Sequence, residues 1–404
     1  MRGMTNSLTI GERVAWYRRR RGVPQEVLAG RVGRTTDWLS KVENNRIDLD
    51  RLSVIRSLAD ALDVSVGDLI GEPTLLDWNQ DSGTRTVPAL RAALMDYRQL
   101  TPLLASPAPT AEPISLEELR REVAVVFEAY QASKYGFVAG RAPLLLADAV
   151  QAAQTYGSEA QGLLALSYQA ATSMLTKLGE TDLAWIAAER GLAAAQQAGD
   201  PVVLGSLFRL VVHALLSNGR FDSAVQLTET AASVLEPEMT HADDNMLSIY
   251  GSLFLAGSMA AARSDDRPRT QTFLREAQEA ANRQGGDGNH MWTAFGPTNV
   301  TIHRVATAME LGDVQVAVDL GPDVDTSGLP VERQVRHSLE TARALSAWNR
   351  ADEALAIVLE AEQRAPEQVR HHYLGRQLVL TWMRQQRGKP SHTLAGLAQR
   401  LRVG

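Results

Sequence analysis

The sequence predicts an all-α protein in which a small N-terminal helical domain precedes a longer array of stacked helical hairpins. Two observations predict this fold class. Residues 24–46 have the pattern of two short helices separated by a glycine, Gly33. From Ile114 onward, helical segments alternate with short turns, and an alanine recurs at a fixed distance after the turn residue in several of them.

The N-terminal pair of helices has a polar outer face. Gln25–Val32 has the apolar spacing of a short helix, and Gly33 supplies the backbone freedom that a tight turn requires. Thr35 is a suitable N-cap for a second helix that extends to about Asn44. The polar side chains left on the outer face of that second helix are Thr36, Asp37, Ser40 and Lys41. A helix N-terminus that carries exposed hydrogen-bonding side chains is the geometry that enters a DNA major groove.

Several residues of this segment stand at the positions that a known family uses. They are Gln25, Leu28-Ala29, Gly33, Ser40-Lys41-Val42-Glu43-Asn44, Ala61-Leu62-Asp63-Val64-Ser65 and Asp68-Leu69. With them, residues 10–70 resemble the helix-turn-helix domain of the phage repressor/Cro type, the Xre class of bacterial regulators. The resemblance implies five helices and a salt bridge between Arg18 and Glu43 across the small core. Asn45 stands where the family commonly has glycine, but asparagine tolerates the left-handed backbone.

The resemblance also implies which side chains meet DNA. The family's base-reading positions are held here by Thr36, Asp37, Ser40 and Lys41. Lys41 can donate to guanine, Thr36 can touch a thymine methyl group, and Asp37 can accept from cytosine. Contacts to the DNA backbone are expected from Arg19, Arg20, Arg21, Gln25, Arg34, Thr35, Asn44, Arg46 and Arg51. Among these, Gln25 is expected to bind phosphate, and Arg51 lies where some members insert an arginine into the minor groove.

Simpler roles remain open for some of these residues. Asp37 near the start of its helix interacts favourably with the helix dipole even without DNA, and we favour that role for it. Trp38 fits a packing role better than a base contact. The basic run Arg18–Arg21 fits a solvated helix C-terminus as well as a phosphate contact, and both roles are compatible.

Charge is distributed unevenly along the chain. Residues 1–51 contain 11 Lys or Arg and 6 Asp or Glu, a net charge of +5. The other 353 residues therefore carry −11, since the chain of 404 residues has a net charge of −6. A basic end on an acidic body is typical of a protein that presents only one end to DNA phosphates.

Composition limits the other classes of protein. The chain has no cysteine, which excludes disulfides and thiolate metal sites. The N-terminus has no apolar run of the length that a signal peptide requires. The longest uncharged stretch, residues 245–262, contains asparagine, glycine and three serines, and we interpret it as a buried helix rather than a membrane span. We therefore expect a cytoplasmic, nucleoid-associated protein without membrane contact.

Proline marks a change after Leu69. Residues 72–114 hold six of the chain's 16 prolines, and the run Leu103–Pro113 is interpreted as a semi-rigid linker. Between the prolines, Pro88–Tyr97 is predicted to be a short helix with Pro88 in its first turn. The predicted domains are therefore a helix-turn-helix domain (1–71), a linker with a short helix (72–113) and a helical repeat domain (114–404).

The C-terminal part repeats at intervals of about 40 residues. Its turn residues and the alanines five positions later are Gly179 and Ala184, Gly219 and Ala224, Gly312 and Ala317, and Asn349 and Ala354. A degenerate turn at 263–268 fills the widest gap. This pattern is typical of stacked helical hairpins. It resembles the core of tetratricopeptide repeats (TPRs) best in Gly219-Arg220-Phe221-Asp222-Ser223-Ala224, so the domain is described as TPR-like.

The order of a helix-turn-helix domain, a linker and TPR-like repeats resembles peptide-responsive quorum regulators of Gram-positive bacteria and many actinobacterial regulators. This resemblance implies a homodimer on a double-stranded DNA operator and a peptide or small-molecule effector bound by the repeats. The candidate effector-binding residues are Arg209, His213, Asn245, Trp292, Phe295, Asn299 and His303. They pair aromatic, amide and basic groups at helical spacing, but each also fits an ordinary core or capping role.

Enzyme motifs are missing from the sequence. It contains no HExxH, no P-loop and no Gly-x-Ser-x-Gly, and His371-His372 is adjacent rather than spaced for a helical metal site. We expect neither catalysis nor a cofactor. Two functions remain: a DNA-binding regulator, or an interaction scaffold whose repeats dock a partner protein and whose N-terminal domain has lost DNA reading. Loss of Lys41 would abolish sequence preference only in the regulator.

Overall fold

The computed structural model describes residues 8–49, 51–64, 66–70, 83–95, 114–386 and 389–403. The ordered elements of these residues are helices joined by turns and short loops, with no β-strand among them. The all-α prediction is confirmed.

The chain forms two compact units, and each unit is built from segments that are not consecutive in the sequence. One unit comprises Met1–Pro73, Ala261–Thr270 and Thr301–Gly404, and the other comprises Thr74–Ala260 and Gln271–Val300. The N-terminal helices therefore belong to the same unit as the last helices of the chain. The predicted domain limits stay a prediction.

Residues 8–70 form a small helical bundle, which we call the head. Its helices are α1 (Ile10–Arg20), α2 (Gln25–Arg31), α3 (Thr36–Glu43), α4 (Leu52–Leu62) and α5 (Val66–Ile70). Aliphatic side chains such as Val14, Leu39 and Ile55 are fully buried between them. α1 begins at a capping box, in which Thr9 and Glu12 accept hydrogen bonds from each other's backbone amides. The implied five-helix order is present.

Helix α6 (Gly83–Leu94) differs from its prediction. The sequence predicted a helix that begins at Pro88, whereas the helix begins five residues earlier and contains Pro88 in its interior. Val87, on the N-terminal side of the proline, is buried in the same core as Leu90 and Leu94, which favours a helix that continues through the proline. The predicted linker run at 103–113 lies outside the described residues.

The described residues from Ile114 onward form antiparallel helical hairpins. Their helices are α7 (Leu116–Gln131), α8 (Tyr135–Tyr156), α9 (Ser158–Lys177), α10 (Thr181–Ala198), α11 (Pro201–Ser217), α12 (Phe221–Leu235), α13 (Asp244–Arg263), α14 (Arg267–Gln284), α15 (Pro297–Leu311), α16 (Val314–Leu320), α17 (Val331–Ala347), α18 (Ala351–Arg364), α19 (Pro366–His371), α20 (Tyr373–Gln385) and α21 (His392–Leu401). Short 3₁₀ turns occupy Glu236–His241, His290–Trp292 and Gly321–Asp323.

The predicted hairpin turns have one shared geometry. The turn residues Gly179, Gly219, Gly312 and Asn349 have positive φ values of 75°, 69°, 84° and 61°. The alanine five positions after each of them is at most 1% exposed. A left-handed residue ends one helix, and the small buried residue lets the next helix lie close to it. The predicted stacked hairpins are confirmed.

Two further hairpins use the same geometry without glycine. Ser133 (φ 58°) precedes the buried Val138, and Asp265 (φ 61°) precedes the buried Thr270. Asp265 lies in the degenerate turn that the repeat spacing predicted at 263–268. The turn at Ser133 was missed because neither residue of the glycine–alanine signature is present there.

Helix α13 is long and apolar enough to cross a membrane by length and composition. However, 89% of its most apolar stretch is buried inside the protein. Packing against other helices therefore accounts for its composition, as the sequence predicted for residues 245–262.

Candidate nucleic-acid interface

The turn between α2 and α3 depends on Gly33, whose φ is 63°. The next residue, Arg34, donates its amide to the carbonyl of Ala29 at 2.9 Å. Thr35 is the N-cap of α3, and its hydroxyl accepts from the amide of Trp38 at 3.2 Å. These hydrogen bonds fix the first residue of α3 and its orientation relative to α2.

The four predicted base-reading residues lie together on α3. Thr36 and Asp37 are exposed, and Ser40 and Lys41 are partly exposed. Lys41 Nζ lies 2.7 Å from Asp37 Oδ2, so these two side chains form an ion pair one helical turn apart. Asp37 thus interacts with Lys41, in addition to lying in the first turn of the helix.

Arg18 and Glu43 form the pair that the resemblance implies. Arg18 Nε lies 2.5 Å from Glu43 Oε1, and Arg18 Nη2 lies 2.7 Å from Glu43 Oε2. This hydrogen-bonded carboxylate raises the pKa of Arg18 above its ordinary value. Gln25 Nε2 also donates to Glu43 Oε2 at 2.7 Å. Because an amide nitrogen carries two hydrogens, Gln25 retains a second one for phosphate.

Several predicted phosphate-binding residues lie on the surface of the head. The exposed ones are Arg19, Arg20, Arg21, Arg34, Thr35, Asn44 and Arg46. Arg20 lies over the ring of Trp16 at 5.0 Å, and Arg34 lies over the ring of Trp38 at 5.5 Å. The partly buried Trp38 therefore orients a cation beside α3.

Arg21 lies in a different environment from the other cations. Its guanidinium donates to the carboxylate of Asp63 at 2.9 Å and to the Asp63 carbonyl at 2.5 Å. It lines a cavity of about 580 Å³ together with Asp60, Asp63, Val64 and Asp68. Three carboxylates in this lining make the surface around Arg21 less favourable for phosphate than the surface around Arg34.

Two other arginines of the head are engaged by carbonyl groups. Arg13 is 4% exposed and donates to the carbonyls of Leu69 and Ile70, and its burial lowers its pKa to about 10. Arg51 Nε donates to the carbonyl of Glu310 at 2.8 Å, within the same compact unit. The predicted DNA contact of Arg51 requires this bond to open. Neither hydrogen bond was predictable from the sequence pattern, because the acceptors are main-chain oxygens distant in sequence.

Two candidate effector-binding residues lie in the interior. Phe295 is fully buried against Gly251, where an added Cβ would lie 1.9 Å from Phe295 Cζ. Asn299 is 1% exposed, and its Nδ2 donates to the carbonyl of Ala294 at 2.9 Å. Both side chains stabilise the loop before α15, and a ligand reaches them only if that loop moves.

The other candidates are more accessible. Trp292 is partly buried and stacks on Phe127 with ring centroids 4.6 Å apart. Arg209 and His213 lie on one face of α11, with Arg209 Nη1 3.4 Å from His213 Nε2. Asn245 and His303 are partly exposed in α13 and α15.

Comparison with known proteins identifies the head. Residues 9–70 match the helix-turn-helix domain family. No curated protein matches the chain. Two similar solved structures are BtubC (BKLC) from P. vanneervenii and Bacillus thuringiensis PlcR in complex with the peptide PapR7 and DNA.

The likeness to these two structures is low. BtubC is 16% identical, with a TM-score of 0.39, and the match covers 68% of this chain and 95% of BtubC. PlcR is 12% identical, with a TM-score of 0.36, and the match covers 87% of this chain and 99% of PlcR. The family match and the geometry of α2 and α3 agree that residues 9–70 are a helix-turn-helix domain.

Proposed function

We propose that this chain is a sequence-specific DNA-binding transcriptional regulator whose helix α3 enters the major groove. The observation that carries the proposal is the polar face at the N-terminus of α3. Thr36 and Asp37 are exposed there, and Ser40 and Lys41 are partly exposed. In helix-turn-helix domains the second helix contacts base edges through its N-terminal residues.

Lys41 is the main base reader in this proposal. Its ion pair with Asp37 is exposed, since the two side chains are 45% and 74% exposed. Exposed pairs at this spacing contribute about 0.3–0.5 kcal/mol, so Lys41 leaves Asp37 at little cost. A good contact to a base edge discriminates by about 1–3 kcal/mol. The balance favours the contact of Lys41 with guanine.

Phosphate contacts come from the exposed cations beside this face. Arg19, Arg20, Arg34 and Arg46 are exposed, and Gln25 adds its remaining amide hydrogen at the start of α2. Each phosphate neutralised by a cation releases counterions, so binding weakens as salt rises. Arg51 joins these contacts only after leaving Glu310.

The proposal extends to the oligomeric state and the location of the protein. The protein would bind a (pseudo)palindromic operator as a homodimer, on the nucleoid in the cytoplasm. Twofold symmetry would place the two α3 helices about one helical turn of DNA apart. A peptide or small-molecule effector would bind the helical hairpins and alter DNA affinity. Arg209 and His213 are the most accessible of the candidate pairs, because His213 is exposed and Arg209 is partly exposed. The protein has no catalytic step in this proposal.

The test is selection of binding sites from a random duplex pool by the full-length protein. A regulator enriches one motif, and its affinity for that motif falls steeply with salt. Lys41→Ala is expected to abolish the preference only at the base pair that Lys41 reads, a loss of about tenfold or 1.4 kcal/mol, because one base contact discriminates by about 1–3 kcal/mol. Light scattering of the protein and of its complex with the selected duplex measures the number of subunits.

Lys134→Ala is the matched control, because it removes an exposed lysine outside the head. It is expected to leave the motif and the affinity unchanged. A protein that enriches no motif, with Lys41→Ala indistinguishable from wild type, is a scaffold instead. Addition of a pool of short synthetic peptides to the selected complex then tests whether an effector changes its affinity.

A further inference from the structure

The N-terminus of α4 and the C-terminus of α15 cap each other. The Leu52 amide, the first of α4, donates to Oε2 of Glu310 at 3.3 Å. In return, Arg51 Nε donates to the carbonyl of Glu310 at 2.8 Å. First-turn amides and last-turn carbonyls have no partner within their own helix. The amide at the start of α4 therefore has a side-chain acceptor from α15, and the carbonyl at the end of α15 has a side-chain donor from the N-cap of α4.

A buried cluster fixes the Glu310 carboxylate in this position. Glu310 is fully buried, and its Oε1 accepts from Arg343 Nη1 at 3.2 Å and lies 3.7 Å from Arg263 Nε. Burial alone would raise the pKa of Glu310, but Arg343, Arg263 and the hydrogen bonds from Arg343 and Leu52 hold it below its ordinary value. Glu310 is thus a charged acceptor whose orientation is set before it meets α4.

A second contact joins the head to another C-terminal helix, α20. Arg384 Nε of α20 lies 3.1 Å from Glu12 Oε1, and the same oxygen accepts from Asn45 Nδ2 at 3.2 Å. Asn45 follows α3 and has a φ of 56°. Asn45, which comes after the C-cap residue Asn44 of α3, therefore donates to a carboxylate that Arg384 of α20 also binds.

The reading face stays open while these contacts are closed. Thr36, Asp37, Arg34 and Arg46 are all exposed in the same structure in which Arg51 is bound to Glu310. The C-terminal helices therefore hold the head without covering the face that reads DNA.

We propose that the reciprocal caps of Arg51 and Glu310 are a positioning joint, which fixes the orientation of the head for binding two half-sites at one set spacing. The inference depends on the proposed function. Glu310 acts through α4 and touches no DNA. A head that occupies the competent orientation only a tenth of the time binds about tenfold more weakly. Opening the joint therefore lowers affinity for the correctly spaced operator and relaxes the spacing preference.

The experiment uses the full chain and the motif that wild type selects from random DNA. Three duplexes carry two half-sites at the selected spacing, two half-sites moved apart by a few base pairs, and one half-site. Glu310→Gln is expected to lose about tenfold on the first duplex, to lose its discrimination against the second, and to keep its affinity for the third. Hydrogen exchange of the amides at the start of α4 is expected to accelerate in this variant.

Arg51→Ala keeps the variant test independent of folding, because it leaves Glu310, Arg343 and Arg263 in place. It is expected to reproduce the loss of spacing preference. If Arg51 binds phosphate instead, affinity falls equally on all three duplexes and the salt slope decreases by about one, which would overturn the joint. Arg364→Ala, at an exposed arginine of α18, is the control and is expected to change none of these readouts.

Two other outcomes also decide against the proposal. Unchanged spacing preference together with unchanged α4 exchange in Glu310→Gln overturns it directly. Selection of no motif by wild type overturns the proposed function and with it the positioning role. The exchange measurement then still shows whether Glu310 caps α4, so the two failures are distinguished.

Discussion

The head and the C-terminal helices each bury an arginine–glutamate cluster. The two clusters differ in whether the glutamate also accepts a hydrogen bond from a distant segment of the chain. In the head, Arg18 and Glu43 bind each other through two nitrogens and two oxygens, at 2.5 and 2.7 Å. In the C-terminal helices, Arg343 Nη1 bridges Oε1 of Glu310 and Oε2 of Glu340 at 3.2 Å each. The second oxygen of Glu310 accepts from the amide of Leu52 in the head.

This difference separates two uses of a buried charge. The bidentate pair of the head holds α1 and α3 in a fixed relation, and Gln25 adds α2 to it. The C-terminal cluster has more than one cation for Glu310, which leaves one carboxylate oxygen for another segment of the chain. A paired buried charge is weak evidence for stability by itself. The number of partners left after a substitution therefore decides how much each cluster contributes.

The largest effect is expected from Glu43→Ala. The substitution leaves the buried Arg18 without its counter-charge and Gln25 without its acceptor, which costs about 3–5 kcal/mol. Hydrogen exchange of α1 to α3 in the full chain measures the loss as faster exchange across the head. Glu26→Ala, at an exposed glutamate of α2, is the control and is expected to change little. A loss below about 1 kcal/mol would mean that water solvates Arg18 in place of Glu43.

Arg343→Met breaks the second cluster and is expected to cost less, about 2 kcal/mol. Methionine keeps most of the volume, and Glu310 retains Arg263 at 3.7 Å and the Leu52 amide. The other carboxylate that Arg343 binds, Glu340, retains Arg336 at 4.0 Å. Urea unfolding of the full chain measures the change, with Arg350→Met at an exposed arginine as control. If Arg343→Met destabilises as much as Glu43→Ala, the remaining partners do not compensate and the contrast between the clusters fails.

The comparison also separates what the sequence could and could not predict. The Arg18–Glu43 pair followed from the family resemblance, because both residues stand at motif positions within one small domain. The hairpins followed from Gly179, Gly219 and similar residues, because a left-handed turn residue and a small buried residue lie only five positions apart. Both features depend on residues within one motif or one turn, so the spacing of those residues in the sequence is enough to predict them.

The missed features join distant parts of the chain. Glu310 is 258 residues from Leu52 in sequence, and no spacing rule links them. Phe295 was a candidate effector residue because an aromatic group beside Asn299 suits a peptide. It is buried because Gly251, on another helix, leaves room for its ring. An aromatic side chain in a groove and one in a core have the same local sequence, so only the tertiary partner decides between them.

Acid is expected to lower the free energy of unfolding, because it protonates the Glu310 carboxylate of the C-terminal cluster. The pKa of Glu310 is lowered from 4.5 despite its burial, because Arg343 and Arg263 favour its charged form. Its contribution to the free energy of unfolding is therefore complete above pH 4.5 and falls as the pH decreases through its lowered pKa. The slope from one such proton is at most about 1.4 kcal/mol per pH unit.

Urea unfolding at a series of pH values below 5 measures this slope in wild type and in Glu310→Gln. The variant cannot ionise at this position, so its slope is expected to be smaller by up to one proton. Equal slopes would mean that other carboxylates account for the acid sensitivity, and that Glu310 keeps its proton affinity unchanged on folding.

The smallest effect on stability is expected from Asp37→Asn, which removes the exposed ion pair between Asp37 and Lys41. Asp37 and Lys41 are 74% and 45% exposed, and exposed pairs at this spacing contribute about 0.3–0.5 kcal/mol. Because water solvates Lys41 when Asp37 loses its charge, no buried cation is left unpaired, in contrast to Arg18 after Glu43→Ala.

Urea unfolding measures the effect of Asp37→Asn on stability, and binding of the selected duplex measures its effect on DNA affinity. If Asp37 acts only on α3 and Lys41, affinity rises equally for all sequences, since a negative charge leaves the interface. If affinity falls only for duplexes with cytosine at one position, Asp37 reads that base, and an exposed pair then serves recognition where the buried pairs serve orientation.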